Sequence, residues 1–377
     1  MITIIIATLV KIVILFAFTI ALAAVLTWME RRQSAMMQDR LGPQRANFGN
    51  FRLWGLLHPI ADSLKLLTKE DHIPLKAHKV LFVLAPLIAL LPVFIVMAVI
   101  PFGPPVALES LGAMVTTDQL AKATTMNLQI ATLDIGLLFV FAIGSLGVYG
   151  AVIGGWASRN NYGLLGGMRA TAQMLSYEVT MGLAIMGVFL VYGTLEPMAL
   201  VQKQASIGQW GVVQQPLAFL LFFFAAIAET KRAPFDIPEG ESEIVGYFVE
   251  YSGVRFMTFY LGEFLEIVFV GCIVATVFFG GWQIPGLHDD GLYLSSAAIA
   301  PAWAMPHWMV SLLRVVAFMA KVFVLCFVQL TIRWTVPRMR YDQLMRLGWK
   351  GLLPASILNI VVTACIVLWS QAANAVR

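Results

Sequence analysis

The sequence has little charge for its size. Only 12% of its 377 residues are charged, whereas 59% are hydrophobic, and a soluble protein usually has about a quarter of its residues charged. A soluble protein also needs a polar coat around its core. The composition therefore excludes an ordinary soluble enzyme and predicts that lipid surrounds most of the chain.

The sequence also lacks the motifs of metal and nucleotide sites. Its three cysteines, Cys272, Cys326 and Cys365, are far apart and lie in apolar runs, so they are interpreted as packing residues. The five histidines show no HExxH spacing, and GxGxxG, P-loop and GxSxG motifs are absent. These absences argue against a metal site, an iron-sulfur cluster or a nucleotide site in this chain.

Long apolar runs take the place of these motifs. Eight of them are candidates to cross a bilayer core of about 30 Å, and they predict an all-α protein that forms one integral membrane domain over residues 1–377. The predicted spans are residues 2–29, 80–100, 130–156, 170–192, 215–230, 256–279, 308–334 and 352–370. A first span of about 42 Å exceeds the bilayer core, so we expect it to tilt strongly.

The basic residues predict an orientation. Of the 25 lysines and arginines, 19 fall in four connections between spans or, in the case of Arg333, at the span end beside one of them, and such residues prefer the cytoplasmic side of short loops. The predicted cytoplasmic loops are residues 30–79, 157–169, 231–255 and 335–351. Both termini are then expected on the periplasmic side, and the asymmetry accounts for the net charge of +4 without nucleic-acid binding.

The first cytoplasmic loop contains an amphipathic pattern. Leucines and an isoleucine recur at helical spacing between Leu53 and Leu67, while Asp62, Lys65 and Lys69 share another face. The pattern predicts an amphipathic helix lying at the cytoplasmic interface. Pro59 is expected to kink or divide that helix.

Charged residues occur within or at the ends of the spans, where an ionised side chain costs at least about 2.5 kcal/mol near the bilayer centre. They are Asp134, Glu178, Glu229, Glu263, Glu266, Arg314 and Lys321. One interpretation is a static lattice of ion pairs that joins the acids of the sixth span to the cations of the seventh. The other is a polar interior that carries protons.

The segment after the fifth span, ETKRAPFDIPEGESEIVGYFVEYS, is strongly acidic. Six carboxylates lie between Glu229 and Glu250, close to Lys231 and Arg232. Like charges in a partly buried site raise pKa values, and such groups can carry protons. An ordinary solvated acidic loop is the alternative interpretation.

Several motifs together resemble one protein family. Besides the acidic segment they are ERR at 30–32, DRLGP at 39–43, DSLKLLTKE at 62–70, GWAS at 155–158, RATAQMLSYE at 169–178 and PRMRYDQLM at 337–345. In this order they resemble the quinone-site membrane subunit of respiratory complex I, the bacterial NADH-quinone oxidoreductase. The resemblance runs from about Trp28 to Pro354.

The resemblance implies eight transmembrane helices with a tilted first one, and a subunit that is not catalytic alone. It implies a proton-pumping NADH:quinone oxidoreductase in a bacterial inner membrane, with quinone as a bound substrate and no flavin, iron-sulfur cluster or metal in this chain. The implied partners are peripheral quinone-site subunits that carry the terminal iron-sulfur cluster, and small membrane and antiporter-like subunits.

Carried over residue by residue, the resemblance implies two sets of functional residues. The quinone-tunnel set is Arg31, Arg40, Asp62, Lys65, Arg232, Phe235, Asp236 and Arg333. The proton-path set is Glu178, Glu229, Glu239, Glu241, Glu243 and Glu263.

The chain departs from the family pattern at several positions. His58 stands where the family commonly has Gln, Gln44 where it has Asn, and Lys231 where Asn is usual. Glu266 and Asp134 are additional charges without an assigned role. Lys231 places a cation beside the acidic cluster and so puts the transfer of proton affinities in question.

Two other functions fit parts of the sequence. The homologous membrane subunit of an energy-converting hydrogenase or formate-hydrogen lyase reduces no quinone, and the complete PFDIPEGESE and RYDQLM motifs favour the quinone enzyme over it. An independent secondary transporter would usually show internal repeats and pairs of broken helices, which the sequence does not clearly show.

The charge asymmetry yields a prediction about topology. In a chain whose own cysteines are replaced by alanine, Asn161→Cys and Lys350→Cys should react with an impermeant thiol reagent only from the cytoplasmic side. Lys203→Cys, in a predicted periplasmic connection, should react only from the outside of intact cells. Labelling of Ser242→Cys from the outside would reverse the assigned orientation.

Overall fold

The structure is a computed structural model of the chain. It describes residues 2–47, 49, 53–107, 125–239, 243–288, 291–293 and 303–375. Glu241, one of the predicted proton-path residues, lies outside the described residues, as do Asp289 and Asp290 of the long connection before the seventh predicted span.

Helices make up nearly all of the regular structure in the described residues. They are α1 (Ile2–Met37), α2 (His58–Thr68), α3 (Lys79–Met97), α4 (Gly136–Gly144), α5 (Leu146–Ala157), α6 (Asn161–Tyr192), α7 (Pro197–Ile207), α8 (Gly211–Gln214), α9 (Pro216–Glu229), α10 (Gly253–Phe278), α11 (His307–Thr335), α12 (Tyr341–Arg346) and α13 (Leu353–Ala375). A π-helical segment, Leu347–Leu352, joins α12 to α13.

Five two-residue strands form two small antiparallel sheets in the connections. They are β1 (Val106–Ala107), β2 (Thr125–Met126), β3 (Leu287–His288), β4 (Gly291–Leu292) and β5 (Trp303–Ala304). In the first sheet Val106 pairs with Met126, and in the second β4 lies between β3 and β5.

Local sequence signals fix the ends of the helices that carry the acidic residues. The Asn160 side chain accepts a hydrogen bond from the Tyr162 N–H at 3.0 Å and so caps α6. Gly193, with a φ of 61°, ends the same helix in a left-handed conformation. Pro216 opens α9, where its missing N–H costs no hydrogen bond.

Seven helical segments are long and apolar enough to cross a membrane in the described part of the chain. The all-helical membrane fold is therefore confirmed. The fifth predicted span corresponds to α9, which has only 14 residues and is about 21 Å long, so the number eight stays a prediction. The third predicted span begins at Gly136 instead of residue 130 and is divided into α4 and α5.

The amphipathic helix of the first loop is α2, and it begins later than predicted. Pro59 lies in its first turn, where proline is well tolerated, so it starts the helix and does not kink it. Leu53 and Trp54 precede the helix. No residue of α2 is buried, so its apolar face, with Ile60 and Leu64, is exposed.

Helix α10 is the centre of the bundle. In its most apolar 18-residue stretch 83% of the residues are buried, compared with 22% in α1. Helix α3 packs closely against α5, because a Cβ at Gly150 would lie 2.6 Å from the backbone nitrogen of Ala89. The central position of α10 matters for function, since it carries Glu263 and Glu266.

Candidate functional site

Two consecutive cations follow α9 and enter the interior of the bundle. Lys231 and Arg232 are 4% and 5% exposed, respectively. Lys231 has a φ of 58°, a left-handed conformation that reverses the chain immediately after the helix. The side chains of both residues contact acidic residues of α10. An uncompensated cation could not remain there, because burying a charge requires a partner.

Arg232 joins three parts of the chain. Its Nη1 lies 3.0 Å from Oε2 of Glu30 on α1, and its Nη2 lies 3.6 Å from Oε2 of Glu263 on α10. The guanidinium carbon lies 3.8 Å from the centre of the Phe264 ring, a geometry that favours a desolvated cation. Oε1 of Glu30 in turn lies 2.6 Å from Nη1 of Arg333 on α11.

Tyr247 completes the arrangement around Glu263. Its hydroxyl donates a hydrogen bond to Oε1 of Glu263 at 3.0 Å. Burial, assisted by the negative charge of Glu263, raises the pKa of Tyr247 well above its ordinary value, so the phenol keeps its proton and remains a donor. Arg333, Glu30, Arg232, Glu263 and Tyr247 therefore form one connected row, which we call the buried charge network.

Lys231 pairs with the second acid of α10. Its Nζ lies 3.3 Å from Oε1 of Glu266, and the two side chains are 5% and 17% exposed. Glu266 lies one helical turn from Glu263, which explains why neighbouring cations of one loop can reach both acids.

Of the two interpretations of the span charges, the ion-pair lattice between the sixth and seventh spans does not describe the pairs that the structure shows for Glu263 and Glu266. Glu263 and Glu266 pair with the loop cations, while Arg314 donates to the Leu287 carbonyl at 3.2 Å. Lys321 donates to three carbonyls, those of Phe279, Gly281 and Gln283. The chain leaves its helical conformation after α10, so carbonyls at this end are available to a cation.

Small cavities connect the acids of three different helices. Glu178 on α6 and Glu229 on α9 line a cavity of about 20 Å³. Glu229 and Glu266 line a second cavity of about 30 Å³. Each is large enough for at least one water molecule, so protons could pass between these carboxyl groups by way of water.

The acids of the loop after α9 lie in different environments. Burial, followed by the negative charges of Glu263 and Asp236, raises the pKa of the Glu239 carboxyl to about 9. Glu243 lies at the surface, 2.5 Å from Arg169, and this hydrogen-bonded pair lowers its pKa. Glu239 is therefore electrostatically connected to the buried charge network, whereas Glu243 forms a surface ion pair.

A larger cavity lies at the C-terminal end of α1. It has a volume of about 310 Å³, and its lining contains three arginines and no carboxylate. The lining residues are Arg31, Ser34, Arg40, Gly42, Pro43, Gln44, Arg45 and His58. Arg31 extends from this basic cavity to Asp62 of α2, with 2.5 Å between nitrogen and oxygen, and Lys65 lies 3.5 Å from the same carboxylate.

The predicted quinone-tunnel residues thus divide into two groups. Arg31, Arg40, Asp62 and Lys65 lie at or beside the basic cavity. Arg232 and Arg333 belong to the buried charge network and together line a cleft of about 10 Å³. Glu30 and Arg31 are neighbours on α1, so the two groups meet at the end of that helix.

The remaining two predicted tunnel residues lie beside the second group. Phe235 is buried, with its ring centre 6.3 Å from that of Tyr177. The backbone carbonyl of Asp236 accepts a hydrogen bond from Arg338 at 2.6 Å, which ties the loop after α9 to the segment after α11.

Sequence reasoning missed four members of this arrangement as site residues: Glu30, Lys231, Tyr247 and Glu266. The sequence does contain a signal for Glu30, because an acid directly beside two arginines at the end of a span indicates a paired charge. Lys231 and Glu266 stand out as departures from the family pattern, but nothing in the sequence indicates that they pair. Tyr247 carries no signal, since its partner lies on another helix.

The fold and site define a multi-pass helical membrane protein whose interior contains acids and cations paired across several helices. No group of three or more His, Cys, Asp or Glu side chains in the described residues could hold a metal ion. The family model described as NADH dehydrogenase matches residues 10–364.

Curated relatives match over nearly the whole chain. The second of the H subunits of NADH-quinone oxidoreductase in Geobacter metallireducens is 44% identical over 96% of this chain and 96% of its own length. The first of the H subunits in Geobacter sulfurreducens is 42% identical over 95% of this chain and 94% of its own length. The H subunit of Thermomicrobium roseum is 41% identical over 94% of each chain. The chain belongs to the NADH dehydrogenase family.

The pKa of Glu239 predicts how stability depends on pH. The ordinary value of 4.5 applies when the chain is unfolded, and the folded value is about 9, so the folded state holds a proton that the unfolded state loses as pH rises. The stabilising contribution is complete below pH 4.5 and is lost as pH rises through 9. Glu239→Gln cannot lose a proton, so its Tm relative to wild type should rise steadily between these pH values, measured on the purified complex.

Glu243→Gln is the matched control for this series. Its carboxylate has a lowered pKa, so its contribution is complete above the unfolded value and is lost only at lower pH. The Tm difference between Glu243→Gln and wild type should therefore be constant from about pH 5 to 9. A Glu239→Gln curve parallel to wild type would show that Glu239 does not hold a proton in the folded state.

Proposed function

We propose that this chain is the membrane subunit of a proton-pumping NADH-quinone oxidoreductase, in which it forms much of the quinone tunnel and couples quinone reduction to proton translocation. The observation that carries the proposal is the connection from the basic cavity, through Glu30 and Arg232, to the acids inside the bundle. The names of the relatives support it. The subunit is not catalytic alone.

The basic cavity has the properties needed at a quinone entrance. Its volume of about 310 Å³ is at the lower end of the range of volumes that ligand pockets have. It adjoins α2, whose exposed apolar face suits the membrane interface, so a quinone tail could remain in lipid while its head reaches Arg31. The Arg31–Asp62 pair then provides both a donor and an acceptor for the polar head.

The buried charge network has the properties needed for coupling. Reduction of a quinone takes up protons and changes the charge near Arg333 and Glu30. Since Glu30 holds Arg232, and Arg232 holds Glu263, a changed charge at one end alters the proton affinity at the other. Glu263, Glu229 and Glu178, with Glu239, Glu241 and Glu243 of the loop, would form the proton path.

Partners and location follow from the same proposal. Quinone is the bound substrate, whereas flavin and iron-sulfur chemistry belong to peripheral subunits, of which the quinone-site subunits dock on the cytoplasmic loops. Small membrane and antiporter-like subunits receive the coupling signal within a bacterial inner membrane, with both termini of this chain on the periplasmic side.

The quinone entrance is tested with Asp62→Asn and Arg31→Ala. Each removes one member of the pair beside the basic cavity, so each should raise the KM for a short-chain quinone about tenfold, a loss of about 1.4 kcal/mol in binding. NADH oxidation by an artificial acceptor should be unchanged, because those electrons leave before they reach this subunit.

Asp71→Asn is the control for the entrance, since it removes a similar ion pair, Asp71–Arg255, away from the cavity. Its quinone KM should equal that of wild type. If Asp62→Asn and Arg31→Ala lower both activities equally in assembled complex, the pair has a structural role and the entrance lies elsewhere.

The proton path is tested with Glu229→Gln and Glu178→Gln. Each keeps the shape of the side chain but cannot exchange a proton, so quinone-linked turnover and proton pumping should fall at least about tenfold while assembly is retained. The measurement is the quinone-linked rate and the number of protons pumped per NADH oxidised, normalised to assembled complex.

Glu196→Gln is the matched control, because Glu196 is a half-buried carboxylate at the start of α7 and outside the proposed path. Wild-type rate and proton ratio in both Glu229→Gln and Glu178→Gln would eliminate these residues from the path. Hydrogen-linked activity without NADH-linked quinone reduction in the wild-type complex would favour the hydrogenase alternative.

A further inference from the structure

Lys231 and Glu266 form an ion pair beside the proposed proton path. The ammonium lies 3.3 Å from Oε1 of Glu266, and its positive charge also acts on Glu229 and Glu263. The other oxygen of Glu266, Oε2, is buried and has no hydrogen-bond partner among the described residues. Glu266 also lines the cavity of about 30 Å³ that it shares with Glu229.

This pair lies beside the buried charge network and has its own surroundings. The chain reverses at Lys231 with a φ of 58°, a left-handed conformation that residues with a side chain rarely adopt. The lysine also lies 5.8 Å from the centre of the Tyr247 ring, within range of a cation–π interaction. The surroundings therefore hold the ammonium between the two acids of α10 and the end of α9.

We propose that Lys231 and Glu266 are positioning residues that act as one mutually compensating ion pair, which keeps Glu229 free to gain and lose a proton. The inference rests on the proposed function and deepens it. Neither residue transfers a proton in this scheme. Each neutralises the electrostatic effect of the other on the carboxyl group of Glu229.

The charges explain why both members are needed. With Glu266 neutral, the positive charge of Lys231 acts on Glu229 without compensation and favours its ionised form. With Lys231 neutral, Glu229 and Glu266 face one cavity as two like charges, so one of them must retain a proton. Either single change therefore leaves one uncompensated charge beside Glu229, whereas loss of both charges removes the imbalance.

The pKa of Lys231 agrees with this arrangement. Burial disfavours the ammonium, but the negative charges of Glu266 and Glu263 outweigh burial and raise the pKa above its ordinary value. The lysine thus remains charged at neutral pH, as a compensating partner must.

The test is a double-mutant cycle in assembled complex. Lys231→Asn and Glu266→Gln should each lower quinone-linked turnover per assembled complex about tenfold, with the quinone KM unchanged. The double variant should recover to within about twofold of wild type, because an amide pair leaves no uncompensated charge. Two quantities are measured for each variant: the quinone-linked turnover per assembled complex and the number of protons pumped per NADH oxidised.

Two control variants match these changes. Lys203→Asn removes a lysine that donates to the Tyr192 carbonyl, and Glu196→Gln removes a half-buried carboxylate; both lie outside the network. Each should leave turnover per complex unchanged. If a single variant does not assemble, the double variant decides: turnover within about twofold of wild type supports the compensating pair.

A double variant no faster than the slower single variant would overturn the inference, as would normal turnover in both single variants. The outcome for Glu229→Gln separates this failure from failure of the proposed function. If Glu229→Gln is slow while both single variants are normal, the proton path stands without the compensating pair. If Glu229→Gln also has wild-type turnover, the proton path itself fails.

Discussion

The structure depends on the pairing of Arg232 inside the membrane protein. A guanidinium cannot lose its proton, so when only 5% of it is exposed, its charge must be met by acids held in place. Glu30 and Glu263 meet it from α1 and α10. Removal of one partner of such a pair costs about 3–5 kcal/mol. The position of one arginine therefore links the first helix, the central helix and the loop after α9.

The same pairing explains how a helical bundle in lipid can hold charged groups in its interior. An ionised carboxyl group that faces lipid costs too much free energy to be retained. The carboxyl groups on α10 instead face loop residues and neighbouring helices. The central position of α10, with most of its residues buried, places Glu263 and Glu266 where cations of the loop can reach them. Glu229, at the end of α9, adjoins the same region through a small cavity. Charge at the C-terminal end of α1 can then influence acids deep in the bundle.

The departures of this chain from its family pattern are related to one another in the structure. Lys231 is an extra cation and Glu266 is an extra acid, and the two are 35 positions apart in sequence. In the fold they neutralise each other. His58 and Gln44, two further departures, both line the basic cavity. These four differences from the family pattern thus lie at the two places where the function is proposed to occur.

The class of protein, most of the helical spans, the amphipathic helix and the residue types of the site are readable from the sequence alone, because hydropathy and helical periodicity are local properties. The sequence did not determine the pairing. Sequence spacing assigns the acids of the sixth span to Arg314 and Lys321, yet those cations bind backbone carbonyls. Arg232 and Glu30 are 202 positions apart, and no local pattern specifies which distant charges meet. Only the tertiary structure decided this, because a buried charge is satisfied by whatever partner the packing of the helices brings within reach.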